Sequence, residues 1–365
     1  MDRLSFFKEL ADHPRFRDAV LCTILSEEGS TPRKSGTHMA VFPDGSTLGT
    51  VGGGGVERIA AREAAELFAL PRGSYFVREY DLDGTTRDTK TGMICGGAVR
   101  LFFCYPDEAA LGVLAETAEL KDGVANRYLL TEIPSFSEAA VCPAVQEPSG
   151  NSSASGTRSP SGLKHRGEPS VRLTLLDDAT LTAQTGIPPL RNPRLQDHLL
   201  IEPVTLRGMV YLFGLGHVGR ALFPLLRTTG FPVVIIDDRK EALDEVLFAD
   251  AYARLCLPYG MPSEELRITE EDLVVITTAG HRGDFEVLSL VLPLKPSYIG
   301  CIGSRRKAMT VSARLIDAGF DGGEVAKIHS PIGLAIGAQT PAEIAVSIAA
   351  ELIAHRAARR KGDAV

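Results

Sequence analysis

Between Met209 and Arg239 the order of apolar and polar positions spells out a sequence of elements. A short apolar run, Met209 to Phe213, gives way to Gly214-x-Gly216-x-x-Gly219. Apolar residues then recur at Val218, Ala221, Leu222, Leu225 and Leu226, Gly230 interrupts the pattern, and a second apolar run, Val233 to Ile236, ends in Asp237 and Asp238. Short apolar runs bounded by turn residues predict buried strands, and the three-to-four spacing predicts a helix. The order is strand, glycine turn, helix, strand, acid, which is the dinucleotide-binding pattern in its required context. Gly214 permits a tight turn, Gly216 lets backbone N–H groups approach a phosphate, and Gly219 lets the helix lie close to the strand. The helix start offers unpaired donors to an anion, and Asp237 is placed to take a ribose hydroxyl pair. Pro224 is expected to kink or shorten the helix, and His217 stands inside the turn as a further candidate contact.

The rest of the second half keeps the α/β alternation. Strands are expected at 252–257, 272–278 and 298–303, a helix at 284–294, and a short strand at 327–330. Near the end, Thr340, Pro341 and Glu343 form a helix start with a capping box. The first half reads differently. A short helix over 4–11 is followed by strands at 19–25, 39–42 and 47–51, the last two joined by the turn signal Pro43-Asp44-Gly45. Four glycines, Gly52 to Gly55, then lead into a helix opened by Glu57. Strands follow at 75–80, 98–105, 127–131, 171–176 and 198–203, with a helix at 108–120. Residues 149–170 are rich in Ser, Gly and Pro and are expected to be a flexible insertion. The expected organisation is an α+β domain over 1–206 and a parallel-sheet, dinucleotide-binding-like domain over 207–365.

Composition narrows the function. A net charge of −7 with no basic block excludes nucleic acid as an expected partner. No apolar run is long enough to span a bilayer, and the N-terminus lacks a signal-peptide core, so a cytoplasmic protein is expected. The six cysteines are scattered, without zinc-type spacing. Candidate chemistry then concentrates in glycine-rich turns. Gly52, Gly53, Gly54 and Gly55 ahead of Glu57 form one anion cradle; a run of four glycines is entropically unfavourable and calls for a close-approach role. Cys95, with Gly96 and Gly97 in the turn Gly92–Gly97, is the best candidate for a reactive or ligating thiol. In the second half Gly214, Gly216, His217, Gly219, Asp237, His281, Ser304 and Arg305 fall at strand ends, where open α/β sheets bind ligands. His281 is a candidate base without a partner in sequence, and Ser304 with Arg305 suits a phosphate. No catalytic triad, paired carboxylates or Walker lysine is present, so the residues describe binding better than turnover.

Six stretches taken together resemble one family. They are GSTPRKSGTHM (29–39), DGSTLGTVGGGGVE (44–57), GMICGG (92–97), FGLGHVGRAL (213–222), YIGCIGSRRK (298–307) and HSPIGLAIGAQTPAEIAVSIAAEL (329–352). The chain resembles the XdhC/CoxI family, the xanthine dehydrogenase accessory proteins. That resemblance implies a factor that binds molybdenum cofactor while a cysteine desulfurase supplies the terminal sulfur. It further implies transfer to a molybdenum hydroxylase apoenzyme, a Rossmann-like C-terminal domain and a homodimer. Some family members carry cysteine where this chain has Gly55, so a thiol contact to the metal is expected from Cys95 instead. The residue pattern by itself leaves two rivals: an NAD(P)-dependent oxidoreductase using the Gly214–Asp238 motif, and a protein–protein adaptor whose glycine turns are purely structural.

Overall fold

A computed structural model describes residues 2–82, 97–134, 142–143, 171–244 and 246–362. The chain separates into two compact units, one formed by residues 1–121 and 126–205, the other by 122–125 and 206–365.

The first unit runs α1 (Arg3–Ala11), β1 (Val20–Gly29), β2 (His38–Val41), β3 (Thr47–Gly49), α2 (Gly54–Ala64), β4 (Tyr75–Asp81), β5 (Gly97–Cys104), α3 (Glu108–Ala118), β6 (Arg127–Glu132), β7 (Cys142–Pro143), β8 (Arg172–Leu176), α4 (Asp178–Thr185), β9 (Arg194–Gln196) and β10 (Leu199–Thr205). Its strands form two sheets, ordered β3-β2-β1-β5-β4-β7 and β8-β6-β10-β9. The long strand β1 explains the layering, because successive side chains leave opposite faces. Val20, Cys22 and Ile24 pack with Val56, Ala60 and Ala64 of α2. Leu21 faces the other way, into a cluster with Phe7 of α1, Leu114 of α3 and Leu129 of β6. Gly97 pairs with Gly29 across β1 and β5. A Cβ there would lie 2.3 Å from the Glu28 carbonyl oxygen, so this glycine serves close strand pairing.

The second unit runs β11 (Val210–Phe213), α5 (His217–Thr228), β12 (Val233–Asp237), α6 (Lys240–Leu243), β13 (Ala253–Cys256), β14 (Leu273–Ile276), α7 (Gly280–Val291), β15 (Tyr298–Cys301), α8 (Arg305–Asp317), α9 (Gly322–Val325) and α10 (Pro341–Gly362). All strand pairings are parallel, in the order β13-β12-β11-β14-β15. The strand expected at 327–330 is reduced to one parallel bridge, Gly300 to His329, which places the chain at the sixth position. The result is the doubly wound order in which ligands sit where the strand order reverses, here between β11 and β14. Both faces are covered, α5 and α10 on one and α7 and α8 on the other, which is why the strands read as continuous apolar runs. Helix α5 continues through Pro224 to Thr228 without being shortened. Proline removes one helical hydrogen bond, but Leu222, Phe223 and Leu226 around it are buried in the core and outweigh that loss.

Candidate functional site

The carboxyl ends of the second unit's strands open into a cleft of about 1060 Å³. Its walls are the turn Gly214–Val218, the strand end Asp237–Arg239, the loop residues Pro258, Tyr259 and Met261, and Thr277–Ala279 after β14. Arg282, Gly283 and Glu286 of α7 and Ile302 complete it.

The three glycines of the turn have different tasks. Gly214 adopts φ +93°, and a Cβ on it would fall 2.7 Å from the Thr278 nitrogen. Gly219 would bring a Cβ within 2.2 Å of the Gly214 carbonyl oxygen. Both positions are therefore fixed by the protein's own packing. Gly216 caps α5 with an ordinary φ of −72°, and nothing lies within 4 Å of the position a Cβ would take. It is the point where a ligand can come against the backbone at the helix start. His217, the first residue of α5, is exposed and lines the cleft beside it. The Thr277 hydroxyl donates to the Gly214 carbonyl at 2.6 Å and so ties the end of β14 to the turn.

Asp237 is placed at the end of β12, as the pattern predicts, but its carboxylate is wholly buried. Oδ2 accepts the Leu215 N–H at 2.7 Å, and Oδ1 accepts the Arg239 N–H at 3.0 Å. The Arg239 guanidinium closes a two-pronged pair on both oxygens at 2.9 and 3.0 Å. Burial would push this carboxyl up, yet the bonds from Arg239 and Leu215 hold it below the usual carboxylate range. Asp237 thus anchors the glycine turn. Beside it, burial together with Asp237 and Asp238 pushes the Tyr259 hydroxyl above the usual tyrosine range.

The remaining expected residues are distributed as follows. His281 is the second residue of α7, and its side chain lies outside the described part. Ser304 caps α8 by accepting the Lys307 N–H at 3.2 Å. The cleft wall ends at Ile302, so neither Ser304 nor Arg305 lines it. Lys307 is engaged by the buried Asp284, whose other oxygen accepts the Thr278 hydroxyl at 2.5 Å. In the first unit Gly52, Gly53 and Gly54 take φ values of +138°, +78° and +60°, which only glycine adopts readily. Gly55 is buried at the start of α2. The Glu57 carboxylate folds back to accept the Gly53 N–H at 2.8 Å and the Thr50 hydroxyl. Cys95 and Gly96 lie outside the described residues. Among the described residues no group of histidine, cysteine and acidic side chains is arranged to hold a metal, and no helix is long and apolar enough to cross a membrane. Sequence reading missed Tyr259 and Met261, although the rule that ligands sit beyond strand ends applies equally to β13 and points to them.

Fold and cleft together define a Rossmann-type domain joined to an α+β domain. Residues 210–352 match the XdhC Rossmann domain, and residues 15–81 match the XdhC and CoxI family. The chain belongs to the XdhC and CoxI family. It is 32% identical over 149 residues to the uncharacterised protein YqeB of Escherichia coli K12, spanning 40% of this chain and 27% of that protein. It is 30% identical over 160 residues to a protein of Bacillus subtilis 168 named as a probable xanthine dehydrogenase subunit, spanning 44% of this chain and 46% of that one. The chain thus matches less than half the length of either relative. A crystal structure of a xanthine dehydrogenase from Bacillus halodurans shares the fold, with a TM-score of 0.73 at 21% identity over 98% of this chain and 97% of that one.

Proposed function

We propose that this protein is an accessory factor that holds molybdenum cofactor during maturation of a xanthine dehydrogenase-type molybdenum hydroxylase. The observation that carries this reading is the open Gly216 backbone at the start of α5, inside a cleft large enough for a pterin and its phosphate. The phosphate end of the cofactor fits there, because N–H groups at a helix start and the nearby His217 can meet an anion without any side chain in the way. The described cleft residues include no thiol; a part for Cys95 in holding the metal is a separate element of this proposal, taken from the sequence alone. When bound, the cofactor supplies the molybdenum centre that the target enzyme needs; this chain's residues bind, orient and shield it. The family and the relative named for xanthine dehydrogenase support a molybdenum hydroxylase apoenzyme as the recipient. A cysteine desulfurase and a second copy of this chain are the further partners this reading calls for.

The test is purification of the full chain from a host that makes the cofactor, with molybdenum and oxidised pterin quantified per chain. Near-stoichiometric pterin is expected, and Cys95→Ala is expected to lower affinity at least tenfold. Protein free of pterin under these conditions would sink the proposal. Undiminished binding by the variant would remove Cys95 from the site while leaving the carrier role intact. The oxidoreductase reading uses the same cleft and predicts hydride transfer to or from a nicotinamide, which the carrier reading does not.

A further inference from the structure

Two acids stand side by side at the end of β12, and the structure gives them unlike surroundings. An ionised carboxylate offers about four acceptor positions. In Asp237 these are met by the Leu215 N–H, the Arg239 N–H, and the Nε and Nη2 groups of Arg239. A ligand hydroxyl pair could bind there only by displacing one of these donors. Adjacent residues of an extended chain project in opposite directions, and the Asp238 side chain is 51% exposed and lines the cleft. Its one contact with a charged group among the described residues is Arg239, at 4.0 Å. Asp238 is therefore the carboxylate at this strand end with room for new donors.

Charge sharpens the reading. Asp237 and Arg239 neutralise each other, so the trio carries one net negative charge, on Asp238. A phosphate placed on this spot would face a carboxylate a few ångströms away and would be repelled. A neutral pair of hydroxyl donors would be welcomed. We infer that Asp238 makes the cleft a subsite for a nucleotide whose ribose 2′ and 3′ hydroxyls are both free, and that it discriminates against a 2′-phosphorylated ribose. Asp237 is the positioning residue that fixes the turn and Arg239. The inference rests on the proposed function only for its location in the cleft, with the ligand's phosphates at Gly216.

The test is calorimetric titration of the full chain with ADP-ribose and with its 2′-phosphate. ADP-ribose is expected to bind at least tenfold more tightly. Asp238→Ala is expected to weaken ADP-ribose about tenfold and to abolish the preference. Asp238→Asn should retain part of it, because the amide oxygen still accepts one hydroxyl. Circular dichroism checks that both variants fold as the parent does, which the exposure of Asp238 leads one to expect. Equal affinity for the two ligands, a preference that survives Asp238→Ala, or no binding of either at millimolar concentration would each overturn the inference. Pterin content is measured on the same preparations, so a chain that carries pterin but ignores both probes would retain the proposed function and lose this subsite.

Discussion

At the scale of single residues, three glycines of identical sequence appearance divide into two kinds. Gly214 and Gly219 are held by contacts with Thr277, Thr278 and each other, whereas Gly216 faces open space. Replacing Gly219 by alanine should therefore destabilise the second unit by roughly 1–3 kcal/mol, the usual range for overpacking. Gly216→Ala should cost about 1 kcal/mol or less, because Gly216 is the N-cap of α5 and alanine is disfavoured there, while the new methyl obstructs the approach to the helix start and weakens ligand binding. Urea unfolding alongside pterin retention separates the two. A Gly216→Ala protein that binds normally would remove this turn from the site. The spacing of these glycines was readable from the chain. Their division of tasks was readable too, since the pattern gives Gly216 the approach to a ligand; the partners that hold Gly214 and Gly219 were not, because Thr277 and Thr278 lie far along the chain beyond β14.

At the scale of elements, the start of α2 shows how a glycine run is used. Gly52, Gly53 and Gly54 bend the chain through conformations closed to other residues, and Glu57 returns its carboxylate to the Gly53 N–H and the Thr50 hydroxyl. The donor at this end is thereby met within the protein. Glu57→Ala should cost about 1 kcal/mol, the size of a lost helix cap, read as a lower urea midpoint with an unchanged slope; an unaltered midpoint would show the cap to be dispensable. Most strands of both units were legible from their apolar residues, whereas β7 and β9, two and three residues long, were too short to show a pattern. Helix α4 was overlooked. Its capping box, Asp177 with Thr180, is written in the chain, but Leu181 is its one buried residue, so it has almost no apolar period to find.

At the scale of the whole molecule, the described thiols are sorted by burial. Burial, with a smaller push from Asp107, raises Cys104 to about 12. Burial and Asp284 raise Cys301 to about 12 despite Lys307. Burial, aided by Glu63, lifts Cys22 well above the usual thiol range. Cys256 is exposed. Thiolates are the reactive form, so iodoacetamide at about pH 8 should modify Cys256 in the native protein and reach Cys22, Cys104 and Cys301 only after denaturant is added. Peptide mass mapping reads the outcome, and rapid native labelling of any of those three would contradict the packing of its core. The buried thiols are thus poor candidates for sulfur or metal chemistry.

The order of apolar runs, glycines and acids along the chain was sufficient to determine a parallel sheet after residue 209 and an α+β fold before it. These are local patterns, and each element carries its own period and punctuation. Folding decided what the same residues are free to do. It buried Asp237 under Arg239 and left Asp238 open, withdrew Lys307 to Asp284, and brought Tyr259 into the cleft wall. A hydrogen-bond acceptor is available to a ligand only when no partner in the fold has claimed it, and those partners come from strands and loops distant in sequence.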